Sequence, residues 1–227
     1  MKLNFKQKIC PNCKTENTFI YEEVEKQIFS LKAYKEIKNK PVYKCEHCGF
    51  CSYDFDMPLK EQTKKFIASQ VYSNILNYAQ LEGLANLDIK IVECYNANHF
   101  ECASLVYALE QDFNKAFVTL FKAIQLKNVI KEEFYLQMLA DKEELSKTEI
   151  EQYERLDNLL ETNIDKNFEN LIEVFKNTEK NIYQKLLLIE ACEIVGNLEK
   201  AQQMYAQLSK EIKLPQDLTD YFNTLLN

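Results

Sequence analysis

The sequence predicts a mainly α-helical protein headed by a small β unit, and three observations carry that prediction. Glycine and proline are scarce, three and four in 227 residues, which disfavours a turn-rich all-β fold. From Pro58 onward, apolar residues recur at helical period. Ahead of it, two C-x2-C pairs stand beside short extended stretches, the strand–knuckle–strand pattern of a small ribbon built on thiolates. With 46% hydrophobic residues, the chain can bury a core as one large domain or two modest ones. The expected division is 1–57 for the ribbon, with an inserted segment at 18–40, and 58–227 for the helices.

In chain order, the start Met1-Lys-Leu-Asn-Phe-Lys-Gln-Lys is charged but leads into no apolar run, unlike a secretory signal. Extended stretches are expected at 5–9, 41–44 and 50–55. Between them lie Cys10-Pro-Asn-Cys13 and Cys45-Glu-His-Cys48. Two residues between cysteines let the backbone turn so that both sulfurs face one point, and two such turns complete a tetrahedral S4 site that suits zinc. Each turn also aims backbone N–H groups at the thiolates. Gly49 follows the second pair, where a positive φ is often required. Iron in a rubredoxin-like S4 site is the chemical rival, and buried thiols or a redox dithiol are the bland alternative. Four protein thiolates leave the metal no open position, so its expected role is structural. Cys51 forms a further C-x2-C with Cys48 but is expected to pack on the outgoing strand, with His47 turned to solvent.

The thirty-one residues between Cys13 and Cys45 exceed the usual spacing of such fingers. Within 18–40, Val24, Ile28, Leu31 and Ile37 fit helical spacing, while Ile28-Phe29 and Tyr34 fit a long hairpin equally well; both stay open. Beyond Pro58, helices are expected at 59–81, 88–109, 113–126, 131–140, 148–163, 166–176, 182–195, 198–212 and 218–226. Cys94, His99 and Cys102 are drawn close in sequence, but His99 points roughly 100–140° away from the cysteines around a helix. Core cysteines and a partly exposed histidine are therefore expected there, and Cys192 is expected to be a core thiol.

Two helical segments align with each other. Asp112-Phe-Asn-Lys-Ala116, followed by Leu120, parallels Asn197-Leu-Glu-Lys-Ala201, followed by Tyr205. A turn, a large apolar residue, two polar residues and an alanine resemble the tetratricopeptide repeat (TPR), where the alanine lets two antiparallel helices approach closely. Gly196 stands in the second turn and Gln111 in the first. Helical-hairpin packing without repeat ancestry is the alternative. The resemblance implies a concave groove for a protein or peptide partner, lined by Asn98, Glu101, Leu105, Tyr183, Leu186, Glu190 and Glu193; the competing view of the glutamates is a solvated face.

The whole order, with Cys10-Pro-Asn-Cys13 and Pro41-Val-Tyr-Lys-Cys45-Glu-His-Cys48-Gly49-Phe50, resembles an uncharacterised bacterial family that joins a split zinc ribbon to TPR-like helices. Glu46 stands where that family has proline, and Cys51 where it has a small residue. The resemblance implies zinc and a cytoplasmic setting, and no activity.

Composition narrows the function classes. No G-x-G-x-x-G and no P-loop can be written with these glycines, and no run is long and apolar enough for a bilayer. The net charge is −7 with Arg155 as the single arginine, which argues against nucleic acid as main ligand. Residues 1–57, though, carry ten lysines against eight acids, so a nucleic-acid-associated ribbon whose helices recruit a partner is the second expectation. No nucleophile–base pair stands out, and the first expectation is a non-enzymatic protein-binding scaffold.

Overall fold

The computed structural model describes residues 4–21, 30–77, 91–141 and 145–227. Among them are four short strands followed, and at one point interrupted, by nine helices: a mainly α protein with a small β part, as expected. Strands β1 (Asn4–Ile9) and β2 (Glu16–Tyr21) form one antiparallel hairpin, with Ile9 opposite Glu16. Strands β3 (Tyr43–Lys44) and β4 (Cys51–Ser52) form another, with Lys44 opposite Cys51. Each C-x2-C pair is therefore the turn of its own hairpin.

Between the hairpins, the insert supplies β2 and a helix, α1 (Leu31–Asn39), begun by Ser30, whose side chain accepts a hydrogen bond from the Ala33 N–H. Of the alternatives left open by the sequence, the helical one holds for Leu31 and Ile37, and Tyr34 lies in that helix rather than in a hairpin strand; Val24, Ile28 and Phe29 lie outside the described residues. Helix α1 leaves the ribbon and docks among the C-terminal helices. Tyr34 is fully buried and donates to Glu190 Oε2 at 2.7 Å, and the Leu31 N–H donates to Asp217 Oδ2 at 3.0 Å.

The helices then run α2 (Glu61–Ile67), α3 (Gln70–Leu76), α4 (Ile91–Leu109), α5 (Phe113–Asp141), α6 (Lys147–Lys176), α7 (Ile182–Ile194), α8 (Leu198–Glu211) and α9 (Gln216–Leu225). Three expected boundaries are corrected. The helix expected over 59–81 breaks after Ile67, where the Ser69 side chain caps α3 by accepting from the Tyr72 N–H; residues 78–81 lie outside the described residues, as do 88–90 of the next. One helix, α5, replaces the two expected at 113–126 and 131–140, and one, α6, replaces those at 148–163 and 166–176. No glycine or proline occurs between 113 and 176, and residues in the expected breaks are packed inward: Lys127 and Ile130 are each 3% exposed and Ile164 is 4% exposed. A unit of about 34 residues has no room for a 29-residue or 30-residue helix plus its partner, so α5 and α6 are not repeats of that length.

The two aligned segments do share a backbone. At the α4–α5 turn, Gln111 has φ 66°, the Asp112 N–H donates to the Tyr107 carbonyl at 2.9 Å, and Asp112 Oδ1 caps the Lys115 N–H at 3.1 Å. At the α7–α8 turn, Gly196 has φ 72°, the Asn197 N–H donates to the Cys192 carbonyl at 2.8 Å, and Asn197 Oδ1 caps the Lys200 N–H at 3.4 Å. Both are helix ends with a left-handed residue and a 6→1 hydrogen bond, followed at once by an N-cap. Ala116 and Ala201 are both fully buried at the crossing that follows.

Two apolar clusters result. One gathers α1 and α5–α9 around Phe117, Phe121, Leu186, Leu188 and Phe222. The other joins Cys10, Cys45, Phe50 and Phe55 of the hairpins to Ile67, Tyr72, Cys102, Val106 and Tyr107 of α2–α4. The ribbon thus has no isolated core; its knuckles are roofed by helices. Among the described residues no helix is long and apolar enough to cross a membrane.

Candidate metal centre

The two knuckles are near copies of one another. In the first, the Cys10 N–H donates to the Thr15 carbonyl at 2.8 Å and the Lys14 N–H to the Cys10 carbonyl at 2.9 Å. In the second, the Cys45 N–H donates to Phe50 at 2.8 Å and the Gly49 N–H to Cys45 at 2.9 Å. The residue after the second cysteine is left-handed in both, Lys14 with φ 63° and Gly49 with φ 74°. At the second, a Cβ would also lie 2.5 Å from Leu76 Cδ2 of α3, so any larger residue would have to displace that side chain.

These turns bring Cys10, Cys13, Cys45 and Cys48 together, with all four Sγ atoms within 4.8 Å of one another. The closest approaches run across the knuckles, Cys10 to Cys48 and Cys13 to Cys45, both at 3.7 Å. A disulfide would be about 2.0 Å long, and the cysteines are free thiols. Four sulfurs bonded at about 2.3 Å to one tetrahedral zinc ion lie about 3.8 Å apart. The spacing is therefore that of a tetrathiolate metal site, and the donor set fits zinc.

Backbone and side chains are already aimed at the sulfurs. The Asn12 and Cys13 N–H groups bond the Cys10 sulfur, the Thr15 N–H bonds Cys13, and the Phe50 N–H bonds Cys48, which also receives the Asn12 side chain. Without a cation, four sulfurs this close cannot ionise together. Burial, the largest influence, together with the neighbouring Cys48, holds the Cys10 thiol well above its ordinary range, and burial likewise raises Cys48. Burial raises Cys13 too, but the Thr15 hydroxyl 3.3 Å away, the Thr15 N–H and the thiols of Cys48 and Cys45 outweigh it and bring Cys13 down to about 6. A bound dication would let the sulfurs ionise together with release of protons.

The neighbours behave largely as the sequence predicted. Cys51 is fully buried in β4 and donates to the Gly49 carbonyl at 3.2 Å, outside the four-sulfur cluster. His47 is exposed. Cys102 and Cys192 are buried core thiols; burial and then the adjacent Cys51 hold Cys102 well above the usual thiol range. The Cys94 side chain lies outside the described residues. His99 is half-buried, and burial, then the Lys44 charge, lower it to about 4. Among the described residues, no second group of metal-binding side chains gathers.

Four supporting residues escaped the sequence reading. Asn17, 8% exposed, spans the knuckles: its Nδ2 donates to the Thr15 carbonyl at 2.9 Å and its Oδ1 accepts from the Glu46 N–H at 3.3 Å. Asn12 reaches Cys48 as described. Tyr72 of α3 donates to the Gly49 carbonyl at 2.9 Å and accepts from the Cys51 N–H at 3.1 Å. Tyr107 of α4 accepts from the Tyr53 N–H at 2.8 Å and bonds Ser52 Oγ at 2.8 Å. Two helices thereby grip the strand leaving the second knuckle. Only the asparagine inside Cys10-Pro-Asn-Cys13 carried any local signal; the tyrosines read as ordinary helix residues.

Three of the seven residues expected to line a partner groove are interior instead. Leu186 is fully buried, and Asn98 and Glu190 are 3% and 4% exposed, so no partner reaches them. Glu190 faces Tyr34 of α1 and accepts from Gln125 Nε2 at 3.3 Å. Glu101 pairs with the buried Lys127, which donates to Asn163 Oδ1 at 2.5 Å, and accepts from Asn167 Nδ2 at 3.3 Å. Asn98 Nδ2 has no hydrogen-bond partner among the described residues. Leu105, Tyr183 and Glu193 are half-buried. Side chains from other elements close over these positions, Asn167 of α6 on Glu101 and Tyr34 of α1 on Glu190.

Fold and site together define a helical protein whose N-terminal pair of thiolate knuckles is built into its core. No family model, curated protein or solved structure matches the chain.

Proposed function

We propose that this chain is a non-enzymatic, protein-binding scaffold in which one structural zinc ion, held by Cys10, Cys13, Cys45 and Cys48, locks two distant hairpins against the helices. The observation that carries this reading is the four-sulfur cluster at tetrahedral spacing, with 3.7 Å between cross-knuckle pairs. Four protein thiolates close the coordination shell, so the ion supplies stability rather than chemistry. The reading extends to a cytoplasmic setting, where thiols such as these stay reduced, and to the bacterial ribbon-and-helix family that the knuckle sequences resemble. The paired hairpin turns at Gln111 and Gly196 support a TPR-like relationship limited to those hairpins.

A nucleic-acid role for the lysine-rich ribbon has less support, because Lys8 pairs with Asp56 and Lys44 with Glu46 at 3.6 Å. A steep salt dependence of binding to mixed RNA or DNA would revive it. The scaffold reading is tested by proximity cross-linking of zinc-loaded protein in native lysate, compared with the Cys13→Ser variant. Specific partners retained only by the zinc-loaded protein are expected; retention of none, with turnover of a metabolite instead, would contradict the reading.

A further inference from the structure

Helix α5 outruns the helices that cover it. The same side of α5 that offers Gln125 to Glu190 of α7 continues past Ile194, where α7 ends. At 100° per residue, Val129, Glu132, Tyr135, Leu136 and Leu139 fall within an arc of about 120°, spread along about 15 Å of axis. The apolar members are open: Val129 39%, Tyr135 55%, Leu136 64% and Leu139 46% exposed. Ile130, on another side of the helix, is 3% exposed, so the open stripe is not a helix lacking its core face. It is an additional apolar face.

The charge around it is as uneven as the exposure. Among the described side chains of 129–161, six are acidic and three basic. Glu132 lies inside the stripe and Glu154 is exposed on the antiparallel α6, while Glu161 and Glu151 pair with Lys131 and Lys147. At the foot of the stripe, burial and then the carboxylates of Glu190 and Glu132 raise Glu193 above the ordinary carboxylate range, a local excess of negative charge.

We propose that this open face of α5 docks a basic amphipathic helix of a partner protein, one that sets leucine-like side chains against Leu136 and Leu139 and lysine or arginine against Glu132. The inference rests on the protein-binding reading and gives it a surface and a partner chemistry. Complementarity selects the occupant. A second copy would bring another Glu132 and its neighbouring carboxylates against the first, and nucleic acid or an anionic lipid surface would meet the same repulsion. A basic partner is drawn to the acids and also covers the apolar stripe.

The probe is a labelled leucine–lysine peptide of about 18 residues, five helical turns, with leucines at helical spacing. Its control is a peptide of the same composition in scrambled order. Both are titrated into zinc-loaded full-length protein by fluorescence anisotropy. The amphipathic peptide is expected to bind roughly tenfold more tightly than the scrambled one, and to lose roughly tenfold in affinity to Tyr135→Ser/Leu136→Ser/Leu139→Ser and to Glu132→Lys. These positions are exposed, so both variants keep the wild-type unfolding midpoint. Equal binding of both peptides, or unchanged binding by both variants, overturns the proposal. So does a wild-type dimer in sedimentation that the triple variant dissolves, which assigns the face to a second copy. In the lysate cross-linking above, partners retained equally by wild type and triple variant overturn this surface while leaving the scaffold reading standing; no partner for the wild type overturns both.

Discussion

Replacing Tyr72 by phenylalanine removes one oxygen, which leaves the Cys51 N–H without its partner and the Gly49 carbonyl with only the Cys51 thiol as donor. The hydroxyl donates to the Gly49 carbonyl at 2.9 Å and accepts from the Cys51 N–H at 3.1 Å, on a side chain 1% exposed. The ring stays, with its edge-to-face contact to Phe66 at 5.5 Å, so the change isolates the polar clamp. A buried group left unsatisfied costs about 1–3 kcal/mol, and since the Gly49 carbonyl keeps its thiol donor the loss is about 1–3 kcal/mol in all. Both groups follow closely on Cys48, so part of that loss falls on the metal: if all of it did, zinc affinity would drop by roughly 5- to 150-fold. Urea unfolding of the zinc-saturated variant measures the first quantity, and competition with a chelator of known affinity measures the second. Tyr135→Phe, at an exposed hydroxyl, serves as the reference and is expected within about 0.5 kcal/mol of wild type. A Tyr72→Phe protein as stable as that reference, with zinc affinity unchanged, would refute the idea that α3 holds the knuckle through this hydroxyl.

Gln111 adopts a left-handed φ of 66° where the equivalent turn has Gly196, so Gln111→Gly is expected to stabilise by about 1 kcal/mol and Gly196→Ala, which meets no atom within 4 Å, to destabilise by about 1 kcal/mol; thermal or urea unfolding checks both. Lys127→Ala leaves the Glu101 carboxylate half-desolvated without its cation and is expected to cost about 3–5 kcal/mol, most of it recovered when Glu101→Met is combined with Lys127→Met. His99, lowered to about 4, binds its proton more weakly in the folded state than in the unfolded state near 6.5. Its contribution is therefore intact above pH 6.5 and lost as pH falls towards 4. A shift of this size corresponds to about 3 kcal/mol, reduced to about 2 kcal/mol by the ring's partial contact with solvent, and His99→Gln should flatten that part of the stability–pH curve.

The ligand cluster was legible because its signal is local: C-x2-C spacing fixes a turn within four residues, and Gly49 marks its left-handed end. The matching left-handed conformation of Lys14 was not legible, since nothing but its position after Cys13 distinguishes that lysine. The hairpin turns at Asp112 and Asn197 were readable for the same local reason. What could not be read was who covers whom. Glu190 has the look of a helix-surface residue until Tyr34, 156 positions earlier, is seated on it by α1. Lys127 falls in an expected break between helices, yet the Glu101 carboxylate paired with it makes its burial tolerable. Buried polar pairs of this kind are matched in space rather than in sequence, so a polar pattern alone ended α5 and α6 too early and opened a groove where helices are packed.

Elemental analysis of the purified full-length chain tests the central claim most directly when run on three proteins: wild type, Cys13→Ser and Cys51→Ser. Wild type and Cys51→Ser should each hold one zinc per chain that a strong chelator removes with loss of folded structure, and Cys13→Ser should hold little or none. Fully folded, metal-free wild-type protein, or zinc lost from Cys51→Ser while Cys13→Ser keeps it, would contradict the account.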